Sequence, residues 1–212
     1  MVSEDGRVSG EINTDSAETH SVRLLEGIDY LLRSLQLSLN DVDAFAVISG
    51  PGSFTGVRIG LTTIKGLAET TGKPIISLTA FEAWVEKFPL ENGILVPLIN
   101  AHRGEVYSMV LERTDKQLCT LSDGMVENLA QLLGRLNHEA ILFIGDGSMK
   151  YHDLISEQHK PLWKVASSDT FLGRPMADLA HRKALQGDFT SSLDLKAYYL
   201  RKSDAELYWK DK

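Results

Sequence analysis

A glycine-rich turn between an apolar run and a helical stretch is the feature that most constrains the fold. The apolar run Ala44-Phe45-Ala46-Val47-Ile48 predicts a buried strand, and it leads into Ser49-Gly50-Pro51-Gly52-Ser53-Phe54-Thr55-Gly56. Residues 55–71 then have helical spacing and stop at Gly72, with Pro74 shortly beyond. Strands that alternate with helices in this way predict an α/β fold with parallel strand pairing.

The turn has two interpretations. Backbone N–H groups meet there at the start of a helix, which is the general arrangement of an anion site. However, the dinucleotide-binding pattern needs a third glycine at Thr55, and the P-loop pattern needs a Lys-Ser/Thr pair after its last glycine. The structural interpretation is favoured: Gly56 and Gly60 share a helix face, Ala68 lies two turns beyond Gly60, and small residues let another helix approach closely.

The longer run from Ser49 to Ala83 closely resembles the signature of the TsaB family, also called YeaZ. The resemblance covers nearly the whole chain, because further family motifs follow in the same order: His20-Ser21, Arg103-Gly104-Glu105-Val106-Tyr107, Gly145-Asp146-Gly147, and Tyr199-Leu200-Arg201 with Ala205-Glu206. Members are bacterial and take part in making the threonylcarbamoyl modification of adenosine in tRNA. The resemblance implies an actin-like, ribonuclease H-like α/β fold with two lobes.

The predicted lobes are residues 1–92 and residues 93–212, divided at Pro89-Leu90-Glu91-Asn92-Gly93. An Asp5-Gly6 turn predicts a hairpin at the start of the chain. Members of the family resembled begin with a full strand before this hairpin. That strand is missing here by comparison, so we expect the true start to lie upstream of Met1.

Further elements follow from apolar periodicity and turn residues. Strands are predicted over residues 7–15, 75–78, 94–99, 105–112, 140–144 and 162–165. Helices are predicted over residues 19–35, 79–88 and 170–185, and residues 122–136 are predicted to be partly helical. Asp15 or Ser16 is suited to capping helix 19–35, and Thr79 is suited to capping helix 79–88. We expect the last helix to be interrupted near Gly173-Arg174-Pro175.

Two helices are candidates for a partner interface. Helix 19–35 has a leucine stripe broader than one packing face needs, and helix 55–71 has a face lined with glycine. In the family resembled, these helices contact the catalytic subunit TsaD and pair into a homodimer when it is absent. The resemblance implies interface residues Leu25, Ile28, Leu32, Gly56, Arg58, Gly60, Ile64 and Lys65. The alternative, that both faces belong to the core of the domain, stays open.

The sequence offers little for catalysis. The related catalytic family uses a His-x3-His pair on a helix, whereas here His20 is followed four residues on by Leu24. The motifs of zinc peptidases and of serine hydrolases are both missing. Asn100 and Asp146 could reach a cleft, as acids do in actin-like ATPases, but the family resembled has a degenerate nucleotide site. We therefore expect no catalytic residue, no metal and no cofactor.

Composition restricts the partners and the compartment. The net charge is −7 and no basic stripe is present, so we expect tRNA to be bound only through a complex. No apolar run approaches the ~20 residues of a membrane span. Cys119 is the single cysteine, which suits a reducing compartment, and we expect the protein in the cytoplasm.

Together these observations favour a non-catalytic scaffold subunit that binds and activates a TsaD-like catalytic subunit, together with a TsaE-like small ATPase. Two enzyme hypotheses remain as alternatives. One is a metal- or serine-dependent peptidase, since proteins of this family have carried a glycopeptidase label. The other is an actin-like ATP-dependent kinase.

Overall fold

The computed structural model describes residues 1–14, 20–88, 92–115 and 117–201. The chain forms two compact units, of which the first comprises Met1–Lys87 with Phe171–Tyr198 and the second comprises Phe88–Thr170 with the residues from Tyr199 onward. The sequence predicted a boundary near residue 92 and placed everything after it in one lobe. Residues 171–198 instead fold with the first unit, because their helix packs on elements from the N-terminal part of the chain.

The elements alternate along the chain much as the sequence predicted. In chain order they are β1 (Val2–Glu4), β2 (Arg7–Gly10), α1 (His20–Ser34), a 3-10 turn (Leu39–Asp41), β3 (Phe45–Ile48), α2 (Phe54–Thr71), β4 (Ile75–Leu78), α3 (Ala80–Lys87), β5 (Gly93–Asn100), β6 (Glu105–Arg113), β7 (Leu118–Asn128), α4 (Leu129–Arg135), β8 (Ile141–Ile144), α5 (Asp146–Lys150), α6 (His152–Ser156), β9 (Trp163–Val165) and α7 (Gly173–Leu185).

The first unit contains two separate pairs of strands. β1 and β2 form the predicted antiparallel hairpin, and its turn residues Asp5 and Gly6 both have positive φ, at 47° and 75°. β3 and β4 pair in parallel, with α2 as the crossover between them. α2 contacts β3, and α7 contacts α3 and both strands of this pair.

Local capping explains where the helices of this unit begin and end. The Ser53 side chain accepts a hydrogen bond from the Gly56 N–H at 3.3 Å at the start of α2, and Gly72 ends that helix with φ 69°. At α3, the Glu82 N–H donates to the Thr79 hydroxyl at 3.1 Å, and the Glu82 carboxylate accepts from the Thr79 N–H at 2.6 Å. The predicted cap by Asp15 or Ser16 lies outside the described residues, as does the Ala205-Glu206 motif.

The second unit is built on a five-stranded sheet in the order β7-β6-β5-β8-β9. β5 pairs antiparallel with β6 and parallel with β8, and residues 95–99 in its middle are buried. One apolar cluster joins this sheet to α4 and α6; its fully buried members include Val96, Leu132, Phe143 and Ile155.

Three predicted elements differ from the structure. The strand predicted over residues 7–15 ends at Gly10. Residues 122–136 were predicted to be partly helical; residues 122–128 continue β7, and Asn128 caps a helix that begins only at Leu129. Their pairing with β6, a non-local contact, decides this. The last helix is not interrupted near Pro175 but begins there, since proline is tolerated in a first helical turn.

Candidate functional site

The glycine-rich turn is held by the backbone of its own unit. The Ser49 N–H donates to the Leu78 carbonyl at 2.8 Å, and the Tyr198 N–H donates to the Ser49 carbonyl at 2.8 Å. Gly50 has φ 131°, and a Cβ atom there would overlap the Tyr198 carbonyl oxygen. The Gly50 carbonyl accepts from the Ala80 N–H at 2.8 Å. Close approach of the chain to itself therefore accounts for Gly50.

One side of α2 faces the core of the unit. Leu61 and Ala68 are buried there, and Ile64 packs against the same cluster. A Cβ atom on Gly60 would lie 3.7 Å from a methyl group of Val47 on β3. Gly60, Ile64 and Ala68 therefore lie against the protein's own strand and core, the alternative that the sequence left open.

The opposite side of α2 is exposed and carries small and polar residues: Thr55, Arg58, Thr62, Gly66 and Glu69. The Arg58 guanidinium lies over the Phe54 ring, with its central carbon 3.8 Å from the ring centroid. Nothing lies within 4 Å of a Cβ atom built on Gly66. The predicted residues Gly56 and Lys65 are half-buried at the borders of this side. Sequence reasoning chose Gly56 and Gly60 and missed Gly66, although the helical spacing from Thr55 through Thr62 indicates this side.

α1 lies against α2, and it too has some residues buried in the core and others exposed. Leu32 is buried, so this predicted interface residue belongs to the core, and Ile28 is half-buried. Leu25 keeps 51% of its surface exposed. Tyr30, which sequence reasoning missed because it lies outside the leucine stripe, is 68% exposed. We use the name exposed helical surface for exposed residues of these two helices: Leu25 and Tyr30 of α1, which lie about 140° apart around that helix, with Thr55, Arg58, Thr62 and Gly66 of α2.

A second group of polar residues lies in the second unit, where the parallel strands β5 and β8 end. The Asp146 carboxylate accepts from the Asn100 N–H at 3.4 Å. The Asn100 side-chain oxygen accepts from the His102 N–H at 3.1 Å and from the Lys150 ammonium at 3.2 Å. Burial raises the pKa of Asp146, and backbone hydrogen bonds from Asn100 and Gly147 only partly oppose it. The structure thus brings Asn100 and Asp146 together, and local hydrogen bonds account for the arrangement.

Metal-ligand clusters and membrane-spanning helices are both absent from the described residues. These residues include no group of three or more histidine, cysteine, aspartate or glutamate side chains that could hold a metal ion. Among the helices of the described ranges, none has the length and apolar character needed to cross a membrane.

A family profile and curated relatives match most of the chain. The profile described as TsaD, tRNA N6-adenosine threonylcarbamoyltransferase, matches residues 8–182. The tRNA threonylcarbamoyladenosine biosynthesis protein TsaB of Haemophilus influenzae is 32% identical over 94% of this chain and 86% of its own length. The TsaB protein of Bacillus subtilis is 28% identical over 95% of this chain and 88% of its own length.

A relative with a different name matches a smaller part of this chain and of its own length. The tRNA N6-adenosine threonylcarbamoyltransferase of Rhizobium johnstonii is 34% identical, but the match covers 47% of this chain and 27% of the relative. The TsaB-named relatives are therefore matched over most of their length, and this transferase over about a quarter of its length.

Solved structures support the fold. A Pseudomonas aeruginosa protein described as similar to the peptidase YEAZ has a TM-score of 0.70 at 22% identity, over 86% of this chain and 85% of its own. YeaZ from Pseudomonas aeruginosa has a TM-score of 0.69 at 23% identity, over 85% of this chain and 84% of its own. With the family profile, these neighbours confirm the predicted actin-like α/β fold.

Proposed function

Because the chain belongs to the TsaB family, we propose that it works in the synthesis of N6-threonylcarbamoyladenosine in tRNA as a non-catalytic scaffold subunit. In this role it binds and activates a TsaD-type catalytic subunit, which transfers the threonylcarbamoyl group to adenosine 37. The observation that carries the proposal is the extent of the matches: most of the length of the TsaB-named relatives, against about a quarter of a threonylcarbamoyltransferase.

The helix that would hold a catalytic metal supports the non-catalytic part of the proposal. A pair of histidines four residues apart presents both imidazoles on one side of a helix. α1 begins at His20, but the position four residues on is Leu24. The chain therefore lacks the second ligand of the pair that the catalytic relatives use.

The exposed helical surface is the proposed binding site for the catalytic subunit. Leu25 and Tyr30 supply apolar and aromatic area, which is common at the centres of protein interfaces. Thr62 and Gly66 are small residues, so a partner helix can approach α2 closely there. Arg58, whose guanidinium lies over the Phe54 ring, adds a charge to this surface, which affects association rate and partner choice. We propose that the same surface pairs two copies when the catalytic subunit is absent.

Co-expression with the TsaD-type subunit of the same genome, followed by light scattering on a sizing column, tests this site. Leu25→Asp is the test variant, because half of this side chain is already in water and the fold should tolerate it. A carboxylate placed in an apolar contact should weaken the heteromer by about a hundredfold, or ~2.7 kcal/mol. Gly60→Arg is unsuitable, since its side chain would point at β3.

Leu185→Asp is the matched control, because Leu185 is 77% exposed on α7 and lies outside the proposed surface. The heteromer should form with the original chain and with Leu185→Asp, and fail with Leu25→Asp. Loss of the heteromer with both variants would mean that the interface lies elsewhere. Modification of tRNA by the purified chain alone would contradict the scaffold role itself.

The remaining partners follow from the same proposal. A TsaE-like small ATPase joins the complex, and tRNA is bound through the assembled complex, since the chain carries a net charge of −7. The proposed place of action is the cytoplasm.

A further inference from the structure

A surface turn of the first unit presents a leucine to water. Leu193 keeps 86% of its surface exposed, the largest exposed fraction of any large apolar side chain in the described ranges. Two residues later, Leu195 is buried in the core cluster that includes residues of α2 and β3. The turn is therefore anchored to the core at Leu195, while Leu193 extends into water.

Hydrogen bonds within the turn hold it in one conformation. The Ser191 hydroxyl donates to the Asp194 carboxylate at 2.6 Å and accepts from the Asp194 N–H at 3.1 Å. The Leu195 N–H donates to the Ser191 carbonyl at 3.0 Å. A side chain that a rigid turn presents loses less conformational entropy on binding than one on a flexible loop.

The turn is also tied to its neighbours in the unit. Thr190 exchanges two backbone hydrogen bonds with Ile75 of β4, at 2.7 and 3.1 Å. The Ser192 hydroxyl donates to the Glu69 carboxylate of α2. The position of Leu193 relative to α2 and β4 is therefore fixed.

A cleft lies beside the turn, at the end of α2. Its volume is about 430 Å³, and its lining includes the apolar residues Ala68, Gly72, Pro74 and Phe189. Nothing lies within 4 Å of a Cβ atom built on Gly72, and Phe189 is 46% exposed. An apolar cavity the size of a deleted leucine side chain is about 150 Å³, so this cleft has room for a leucine.

The exposed leucine and the cleft lie on one face of the unit. Ser191 and Ser192, which directly precede Leu193 in the chain, are themselves part of the cleft lining. A two-fold axis through such a face places the protruding side chain of each copy over the cleft of the other, so the same contact is made twice.

The charges of this face are of both signs. Lys73 and Glu69 line the cleft, and Glu69 already accepts from the Ser192 hydroxyl. Asp194 is exposed directly beside Leu193. A copy whose Leu193 enters the cleft brings its Asp194 to the rim, where Lys73 has the opposite charge. The face is therefore complementary to itself in charge as well as in shape.

We propose that this turn-and-cleft face, which consists of Leu193, Asp194 and the cleft, binds a second copy of the chain, with Leu193 of each copy in the cleft of the other. Burial of Leu193 against Phe189 drives the association, and the pairs of Asp194 with Lys73 fix its register. The inference goes beyond the proposed function and uses none of the residues of the exposed helical surface.

Light scattering over a dilution series tests the contact in the Leu25→Asp chain, where pairing through the exposed helical surface is disabled. This chain should still form a dimer. Adding Leu193→Asp places a carboxylate in each cleft; at about tenfold for each contact and two contacts in a dimer, Kd should rise about a hundredfold. Leu154→Asp, at an exposed leucine of α6 in the second unit, is the matched control and should leave Kd unchanged.

Cross-linking locates the contact in chains that keep Leu193. Cys119, the single cysteine, is first replaced by serine. A chain with Asp194→Cys is then mixed with a chain with Lys73→Cys. A short bismaleimide should join these two chains at least tenfold faster than it joins Asp194→Cys to a chain with Leu154→Cys.

Three results would overturn the proposal. A Leu25→Asp chain that stays monomeric up to its highest soluble concentration means that the turn-and-cleft face binds no second copy. Equal dimerisation with and without Leu193→Asp means that this leucine is not in the contact. Cross-linking to Lys73→Cys no faster than to Leu154→Cys means that the turn does not meet the cleft. The heteromer with the TsaD-type subunit is measured separately, so none of these results decides the proposed function.

Discussion

Removing the charge of Glu127 should destabilise the second unit, because this carboxylate ties β7 to β6 and to α4. Its side chain is only 10% exposed. It accepts from the Ser108 hydroxyl at 2.6 Å and from two nitrogens of Arg135 at 2.7 and 3.0 Å. Burial by itself raises the pKa of Glu127, but the hydrogen bonds from Arg135 and Ser108 outweigh it, so the pKa lies below its usual value.

The size of the effect follows from the exposure of the partner. Hydrogen bonds to charged groups contribute about 1.5–3 kcal/mol, and breaking a fully buried ion pair costs about 3–5 kcal/mol. Arg135 is 36% exposed, so water can solvate the guanidinium that Glu127→Gln leaves behind. We therefore expect a loss of about 2 kcal/mol in the free energy of unfolding at pH 7, or a Tm lower by roughly 4–8 °C.

The pH dependence identifies the carboxylate as the cause. A lowered folded-state pKa stabilises the protein above the unfolded value of about 4.3, and this contribution is lost as the pH falls through the folded-state pKa. In urea unfolding, the difference between the original chain and Glu127→Gln should stay constant from pH 7 to 5.5 and shrink below about pH 4.3.

Glu112→Gln is the matched control, because Glu112 is an exposed carboxylate on the neighbouring strand β6. It should change stability by less than about 0.5 kcal/mol. A loss below about 0.5 kcal/mol for Glu127→Gln at pH 7, or a loss that is the same at pH 3.5 and pH 7, would refute the reasoning.

Four further predictions concern single positions. Burial raises the pKa of Asp146 in the folded state, so the original chain loses stability as the pH rises through that pKa. In urea titrations, the free energy of unfolding of Asp146→Asn should therefore rise relative to that of the original chain between pH 4 and pH 7. Gly145→Ala should lower the free energy of unfolding by several kcal/mol in a thermal unfolding assay, because φ is 106° and a Cβ atom would overlap the Leu98 carbonyl oxygen. Gly66→Ala should raise it by about 0.5–1 kcal/mol, because Gly66 lies within a helix and a Cβ atom there has open space. Ser53→Ala removes the cap of α2 and should cost about 1 kcal/mol in the same assay.

The elements that the sequence predicted well are those with strong local patterns. The buried run before the glycine-rich turn forms β3, and the helix after it runs from Phe54 to Thr71, within a residue of the prediction. Apolar periodicity, a serine cap and a glycine stop all lie within this one segment. The family resemblance rested on the same segment, and the relatives confirm it.

The candidate site was predicted less well, because a periodic pattern does not say which neighbour covers a residue. Leu25 and Leu32 belong to the same leucine stripe, yet one is half in water and the other is buried. Ile64 and Gly60 carry the expected residue types but face the protein's own core and β3. The exposed side of α2 became clear only when the position of β3 beneath it was known.

The sequence alone determined the α/β alternation, the Thr79 cap of α3, the end of α2 at Gly72 and the family, since each depends on short-range patterns or on residue identity. Tertiary structure decided that residues 122–128 form a strand and that α7 belongs to the first unit. Each of these depends on which distant segments pair or pack together. Such contacts are selected by the burial and hydrogen bonding of the whole unit, which no local window contains.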